Sequence, residues 1–309
     1  MKRWLFLSAA MIVMLLVMPG RASAITGNYV KDFQHPYVGL VAFYDGDGEF
    51  MWRCSGSLLT DRVFLTAGHC TDQDAEESPV SARIWFEQNV GGGFDPVTEA
   101  PDPHTGYPDR CLAGDPLCVT SRKLFDFGFD EFAGFPNIHD VGLIILPRSQ
   151  AVDLPEYGVL AEPGFLDAQT GLRSATFTVS GYGVTKSSPS PNPAQNISFR
   201  ERLMTETQMV GSLNASSNTA GYNLQLMENP GGGRGGSCFG DSGGPTFYGT
   251  FESNVIVGVN SWLFGSNRQT CGGTGFAFRT DTQAVVDWIL GVVRTNAPGE
   301  LDEIQFAGS

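Results

Sequence analysis

The sequence predicts an all-β protein made of two successive β units and a single C-terminal helix. Three observations carry this expectation. Glycine (39) and proline (18) are abundant while only 17% of residues are charged, which favours short strands joined by turns over long solvated helices. Short runs rich in β-branched and aromatic residues recur between Gly, Pro, Asp and Asn along most of the chain. Only one stretch, close to the end, repeats its apolar residues with a helical period. The 309 residues suffice for one large domain or two modest ones, each with its own core.

Residues 1–24 read as an export signal: Lys2 and Arg3 precede an apolar run from Trp4 to Met18, and Ala22-Ser23-Ala24 offers the small residues of a cleavage site. The run is shorter than the ~20 residues that cross a bilayer. No later run is long enough either, so the expected product is secreted and needs no membrane. The first unit is expected over 25–153, with strands in "YVGLVAFY", "CSGSLLT", "RVFLTA", "ARIWFE" and "DVGLIIL" and an insertion at about 105–137. Leu154 to Gly171, with Pro155, Pro163 and Gly164, reads as the connection to a second unit over 154–295. Its strands are "ATFTVSGYG", "FRERLM", "YNLQLM", "PTFYGT", "NVIVGVNSW" and "GFAFRT". The helix is expected over Asp281–Val293, capped by Thr280 or Asp281, with Ala284, Val285, Trp288, Ile289 and Val292 on one face. Residues 296–309 read as a loosely ordered tail.

The formal charge is −14, and the first 24 residues hold three cations and no acid, so the remainder is more acidic still. Such a surface repels nucleic acid and anionic lipid and suits a soluble secreted protein. The six cysteines of an exported chain read as three disulfides rather than a metal site. No C-x-x-C pair occurs, and the four histidines are not at metal-ligand spacing. Of the fifteen pairings that arithmetic allows, sequence order makes Cys54–Cys70, Cys111–Cys118 and Cys238–Cys271 the simplest set. Two acidic clusters, "DGDGE" at 45–49 and "TDQDAEE" at 71–77, raise the question of calcium. Neither has EF-hand spacing, and the first is more simply a hairpin turn, so no cofactor is expected beyond that candidate ion.

The chemistry centres on "SCFGDSGGPTF", residues 237–247. Gly240-Asp241-Ser242-Gly243-Gly244 satisfies G-x-S-x-G, the turn that exposes a nucleophilic serine in α/β-hydrolases, but that arrangement needs a histidine after the serine. None follows Ser242. The order His, Asp, Ser is available instead, with His69 in "LTAGHC" and Asp140 opening "DVGLIIL". A serine becomes a nucleophile when a base takes its proton and an acid orients that base. His139 is expected to be a loop residue rather than a rival base, and His104 to have no catalytic part.

"LTAGHC", "DVGLIIL" and "GDSGGP", in this order, resemble the chymotrypsin-like (trypsin family) serine proteases, and the similarity extends through "CSGSLLTDRVFLTAGHC", "SGYGVT", "VNSWL" and "VVDWI". The resemblance implies two six-stranded antiparallel β-barrels with the active site between them. It implies Cys54–Cys70 and Cys238–Cys271 as family disulfides, leaving Cys111–Cys118 as a local extra. It also implies Ser242 as nucleophile, His69 as general base and acid, Asp140 as the carboxylate that orients it, and the N–H groups of Gly240 and Ser242 as the oxyanion hole. In the family, the residue before the nucleophile pairs with a new N-terminal ammonium. Here Asp241 and Ile25, in "ITGN" directly after the signal, are the expected pair, although Thr26 and Asn28 depart from the usual Ile-Val-Gly-Gly. Gly236, Leu263 and Gly275 are expected to shape the specificity pocket. With no acid evident at its base, they imply cleavage after small or medium apolar residues of a protein or peptide substrate by a monomeric enzyme. A catalytically silent binding protein of the same fold, and a secreted esterase with the same triad, are the alternatives. The stretch from His69 to Asp140 is longer than usual in the family. The surplus, assigned to 105–137 with the Phe-rich "LFDFGFDEFAGF", is either a substrate- or partner-binding loop or a surface loop tucked onto the first barrel.

Overall fold

A computed structural model of the chain describes residues 25–73, 77–90, 117–184, 200–214, 217–229, 233–264 and 271–308. Its first strands, β1 (Thr26–Gly27) and β2 (Val30–Lys31), pair with strands of the second unit rather than the first, so the expected boundary at 25 shifts for these residues. The first unit then comprises β3 (Val38–Tyr44), β4 (Phe50–Leu58), β5 (Val63–Thr66), the single-turn α1 (Gly68–Thr71), β6 (Ser81–Trp85), β7 (Cys118–Ser121), β8 (Leu124–Asp126) and β9 (Gly142–Ile145). They form an antiparallel sheet in the order β7-β6-β3-β4-β5-β9-β8. β7 and β8 are two parts of one bent segment that pairs with β6 at one end and β9 at the other, which closes the sheet. Residues 118–126, expected within an insertion, are therefore barrel wall; residues 105–116 lie outside the described residues.

Local chemistry explains the tight hairpin between β3 and β4. The Asp45 carboxylate accepts the N–H groups of Asp47 (2.9 Å) and Glu49 (2.8 Å), so the first acidic cluster is spent on its own turn. In the second cluster, residues 74–76 lie outside the described residues. Gly56 has no side chain because a Cβ there would overlap the Phe64 ring and the Leu65 carbonyl. Leu40, Phe43, Phe64, Ile84, Leu143 and Ile145 are all fully buried and fill the barrel.

The second unit holds β10 (Val159–Ala161), the short α2 (Phe165–Ala168), β11 (Phe177–Gly181), β12 (Leu203–Thr207), β13 (Asn223–Met227), β14 (Gly235–Gly236), β15 (Pro245–Tyr248), β16 (Val255–Phe264) and β17 (Thr274–Arg279). The path runs β13-β17-β16-β15-β11-β12-β2. It closes where Met209 bridges Leu226, with Val210 N donating to the Gln225 carbonyl (2.7 Å) and Met227 N to that of Gln208 (2.9 Å). β10 lies inside the stretch expected as a plain connection and pairs in parallel with β16. The units meet through Arg202, whose Nη1 donates to the Val38 (3.0 Å) and Phe86 (2.9 Å) carbonyls, and Tyr182, whose hydroxyl donates to the Glu87 carbonyl (2.6 Å).

The C-terminal helix, α3 (Gln283–Asn296), starts two residues later than expected, with Thr282 at its N-cap. Asp281 is engaged elsewhere, pairing with Arg279 (2.8 Å) and accepting Leu166 N (2.8 Å). The buried face is Val285, Val286, Ile289 and Val293, while Ala284 is exposed. The tail departs from the expected loose order. Arg62, nearly buried, pairs with Glu300 of the tail (3.1 Å), and β18 (Phe306–Ala307) adds to β10 in parallel. Cys54–Cys70 and Cys238–Cys271 are formed; Cys111, and with it the expected Cys111–Cys118, lies outside the described residues. Among the described residues no helix is long and apolar enough to cross a membrane. The architecture is all-β, two antiparallel barrels with a C-terminal helix.

Candidate active site

Two glycines bring His69 and Asp140 together. A Cβ on Gly68 would press on the His139 carbonyl and Val141 N (3.0 Å each), and one on Gly142 would overlap the Ala67 carbonyl, so only glycine lets α1 lie against the start of β9. In that position His69 N donates to Asp140 Oδ1 (2.8 Å), and the ring Nδ1 lies 3.0 Å from both carboxylate oxygens. Ser261 Oγ, from β16 of the other barrel, donates to Asp140 Oδ2. The Asp140 side chain is 1% exposed and that of His69 28%. Burial pushes the Asp140 carboxyl up, but the His69 charge and hydrogen bonds, with Ser261, hold it below the usual carboxylate range. Burial by itself would lower the imidazole, yet the charge and hydrogen bond of Asp140, backed by Asp72, raise His69 above its ordinary value.

Ser242 sits on a turn stapled to both barrels. Ser55, on β4, donates its N–H to the Ser242 carbonyl (2.8 Å) and its hydroxyl to that of Gly240 (2.8 Å), while Gly243 N reaches the Asn260 carbonyl (2.7 Å). Gly243, at φ +77°, lies so close to Thr66 Oγ1 and Ala67 N that a Cβ would overlap both. The turn thus abuts the backbone two residues ahead of His69. Asp241 N and Gly244 N are spent on the carbonyls of Cys238 (3.0 Å) and Asp241 (2.9 Å), but among the described residues neither Gly240 N nor Ser242 N is hydrogen-bonded. Gly240, at φ +93°, occupies a backbone region that a side chain disfavours. No hydrogen bond joins Ser242 Oγ to His69 Nε2 here; such bonds are commonly long in free enzymes and tighten with substrate.

Asp241 turns inward. Its carboxylate accepts Gly183 N (2.7 Å) and Cys238 N (2.8 Å). Burial pushes it up to about 7 despite those bonds and the charge of Arg53. Ile25 is fully buried within the continuous chain, and no bond joins it to Asp241.

Of the expected pocket residues, Leu263 lies opposite Gly275 in the β16–β17 ladder, and Gly236 lies on β14. Sequence reasoning missed what fills the space between the two glycines. Glu228, directly after β13, places Oε2 where a Cβ on Gly236 would stand and Oε1 where one on Gly275 would stand. An acid therefore lies between two of the residues expected to shape the pocket, where the sequence showed none. Nothing in "LMEN" marks this glutamate apart from an ordinary solvated strand end.

The Phe-rich stretch flanks the site. Phe129 lies 5.9 Å from the His69 ring, and Phe132 (6.1 Å) and Phe135 (5.5 Å) stand edge-on to Trp262 of β16. His139 pairs with the Asn137 side chain (3.1 Å) and packs on Phe127, away from Asp140's imidazole contact; His104 lies outside the described residues. Cys54, Cys70 and His69 cluster closely enough to hold a metal, but the two sulfurs are bonded to each other.

A family model described as Trypsin matches residues 137–289. "Serine protease ea" of Drosophila melanogaster is 27% identical over 91% of this chain and 71% of its own length. "Trypsin beta" of Drosophila erecta is 26% identical over 69% of each chain. "CLIP domain-containing serine protease B10" of Anopheles gambiae is 29% identical over 40% of this chain, which spans a third (33%) of that protein. Among solved structures, HL collagenase aligns with a TM-score of 0.59 at 19% identity, over 89% of this chain and 98% of the other. Human heparin binding protein aligns at 0.56 and 20% identity, over 89% and 99%. At such identities the structures support the fold alone, whereas the sequence matches support the chemistry. Together with the two barrels and the His–Asp couple beside the GDSGG turn, they make the chain a chymotrypsin-like serine protease, a serine endopeptidase of the trypsin family.

Proposed function

We propose that this endopeptidase works through Ser242, His69 and Asp140, by way of an acyl-enzyme, on protein or peptide substrates outside the cell. Ser242 Oγ attacks the scissile carbonyl while His69 Nε2 takes its proton; His69 then returns that proton to the leaving amine. Water, deprotonated in turn by His69, attacks the acyl carbonyl, and His69 passes that proton to Ser242 Oγ as the bond to the serine breaks and the acid product leaves. Asp140 holds the imidazole with Nδ1–H toward its carboxylate and offsets the charge of the imidazolium. The oxyanion is met by Gly240 N and Ser242 N. The observation that carries the reading is that these two N–H groups are unspent while their neighbours in the same turn are bonded. Aromatic walls at Phe129 and Trp262 would exclude water from one side of the bound peptide. The reaction needs only this chain's own groups.

Asp241 supports a further step in the same reading. A carboxylate buried with two N–H donors and no ion pair of its own, with only the charge of Arg53 nearby, is suited to receive an ammonium. Cleavage after Ala24 would free the Ile25 amine, so that removal of the leader itself activates the protein. The leader-like first 24 residues and the formed disulfides support secretion.

Hydrolysis of peptide amides by the processed protein, lost in Ser242→Ala, tests this function. Turnover of simple esters with no amide cleavage would favour the esterase. Tight binding of a peptide without turnover of either would favour the silent binding protein.

A further inference from the structure

We propose that Glu228 is the specificity-determining acid of the primary pocket, and that this protease therefore cleaves after lysine or arginine. The proposal rests on Ser242 being the nucleophile, since only then does the space beside Gly236 and Gly275 receive the residue before the cut bond.

The geometry is that of an anion built into the wall of a site. Glu228 N is fixed by the Gly273 carbonyl (3.2 Å), so the side chain leaves the end of β13 at a set point. Its carboxylate fills the gap between Gly236, four residues ahead of the oxyanion-hole glycine, and Gly275 on β17. Both positions must be glycine for it to fit. Glycines that look like an open, neutral pocket in the sequence are thus the complement of an acid delivered by a third element. Glu228 is 2% exposed. Ser237 Oγ donates to Oε1 (3.2 Å), and Oε2 has no hydrogen-bond partner.

A carboxylate in that state has one oxygen unpartnered and, among the described residues, no ion pair. Removing an ion from water is unfavourable unless an opposite charge or a full set of donors replaces the solvent. Ser237 supplies its hydroxyl and its backbone N–H, which fall short of a full set with Oε2 unpartnered, and the charge of Asp241 lies near enough to raise the cost further. Burial accordingly drives Glu228 well above the usual carboxylate range in the empty protein. The ligand that relieves both the orphaned oxygen and the repulsion is a cation on a long stem, able to enter past Leu263 and end at the carboxylate. Lysine and arginine side chains have that form, with an apolar stem and a charged head. A small apolar residue would leave the acid as it is.

The test compares peptide amides that differ only at the residue before the cut, carrying Arg, Lys, Ala, Val, Leu or Phe. Rates are normalised to the fraction of Ser242 titrated by a small neutral fluorophosphonate. Arg and Lys should exceed every apolar residue by ~30-fold or more in kcat/KM. Glu228→Gln should cut the Arg-to-Ala ratio by a similar factor. Independently of any variant, benzamidine, a flat cation, should protect the wild-type protein from the fluorophosphonate while neutral benzamide does not. Preference for Ala, Val, Leu or Phe, an Arg-to-Ala ratio unchanged in Glu228→Gln, or equal protection by benzamide would each overturn the proposal. Absence of fluorophosphonate labelling would instead overturn the reading of Ser242 on which it rests.

Discussion

The described residues hold two histidine–aspartate–serine clusters with nearly the same bonds. In one, His69 Nδ1 lies 3.0 Å from both oxygens of Asp140, which also takes the hydroxyl of Ser261. In the other, His35 Nδ1 lies 3.0 and 2.9 Å from the oxygens of Asp32, which also takes the hydroxyl of Ser180 (2.6 Å). What separates them is the far nitrogen. His35 Nε2 is bonded to the Ser253 carbonyl (3.2 Å), and its ring is buried and stacked on Phe247 at 4.5 Å. His69 Nε2 carries no hydrogen bond among the described residues, and its side chain is 28% exposed. A hydrogen-bonded His–Asp pair is therefore no sign of catalysis. A base needs a free nitrogen, access, and an adjacent nucleophile.

Substitution should split the two clusters. His69→Ala is expected to lower kcat by about 10⁴-fold or more and leave the fold intact, whereas His35→Ala should spare the kcat of the folded protein. Its cost should fall on stability, roughly 2–5 kcal/mol, because the buried Asp32 carboxylate loses one of its partners and a cavity opens beside Phe247. Steady-state kinetics beside denaturant unfolding reads both. A kinetic defect in His35→Ala at full folding would erase the distinction.

The aspartates should behave likewise. Asp140→Asn is expected to reduce kcat about 10³–10⁴-fold by favouring the wrong tautomer of His69. Asp32→Asn should change the unfolding midpoint and not the rate.

Two pH dependences are smaller. Because Asp140 raises His69 above its ordinary 6.5, kcat/KM should fall on the acid side through a midpoint above that value, as the base becomes protonated. A midpoint below 6.5 would contradict the coupling. In the unprocessed fold, Asp241 titrates at about 7 against an ordinary 3.8, so the folded state keeps a proton that the unfolded chain has lost. Stability of a form extended before Ile25 should therefore decline as pH rises from 3.8 through about 7. A form beginning at Ile25 should not show that decline, since the ammonium favours the ionised acid. Thermal unfolding of both at pH 5 and pH 8 measures it.

The smallest effect belongs to Ser261→Ala, which removes one donor from Asp140 and should cost a few-fold in kcat/KM, about 0.5–1.5 kcal/mol. Kinetics on the matched peptide amide would show it.

What could be read from the sequence follows from how each feature is encoded. "LTAGHC", "DVGLIIL" and "GDSGGP" are contiguous strings, and the strands that place them announce themselves by local runs of apolar residues. Non-local pairings gave no such signal. Thr26–Gly27 and Val30–Lys31 join the second barrel through partners more than 170 residues away in sequence, Lys31 with Leu203 among them. The tail is held by the Arg62–Glu300 pair and by β18 against β10, and Asp281 leaves the helix cap to serve Arg279. Glu228 is the sharpest case, because its meaning depends on Gly236 and Gly275 arriving from two other elements.

The central claim is that the His69–Asp140 couple activates Ser242. Mass-spectrometric mapping of a fluorophosphonate adduct tests it most directly. One adduct per processed chain, on Ser242, is predicted, with labelling collapsing in His69→Ala even though the serine is still present. Labelling of Ser242 at an undiminished rate in folded His69→Ala, or an adduct on another residue, would contradict it.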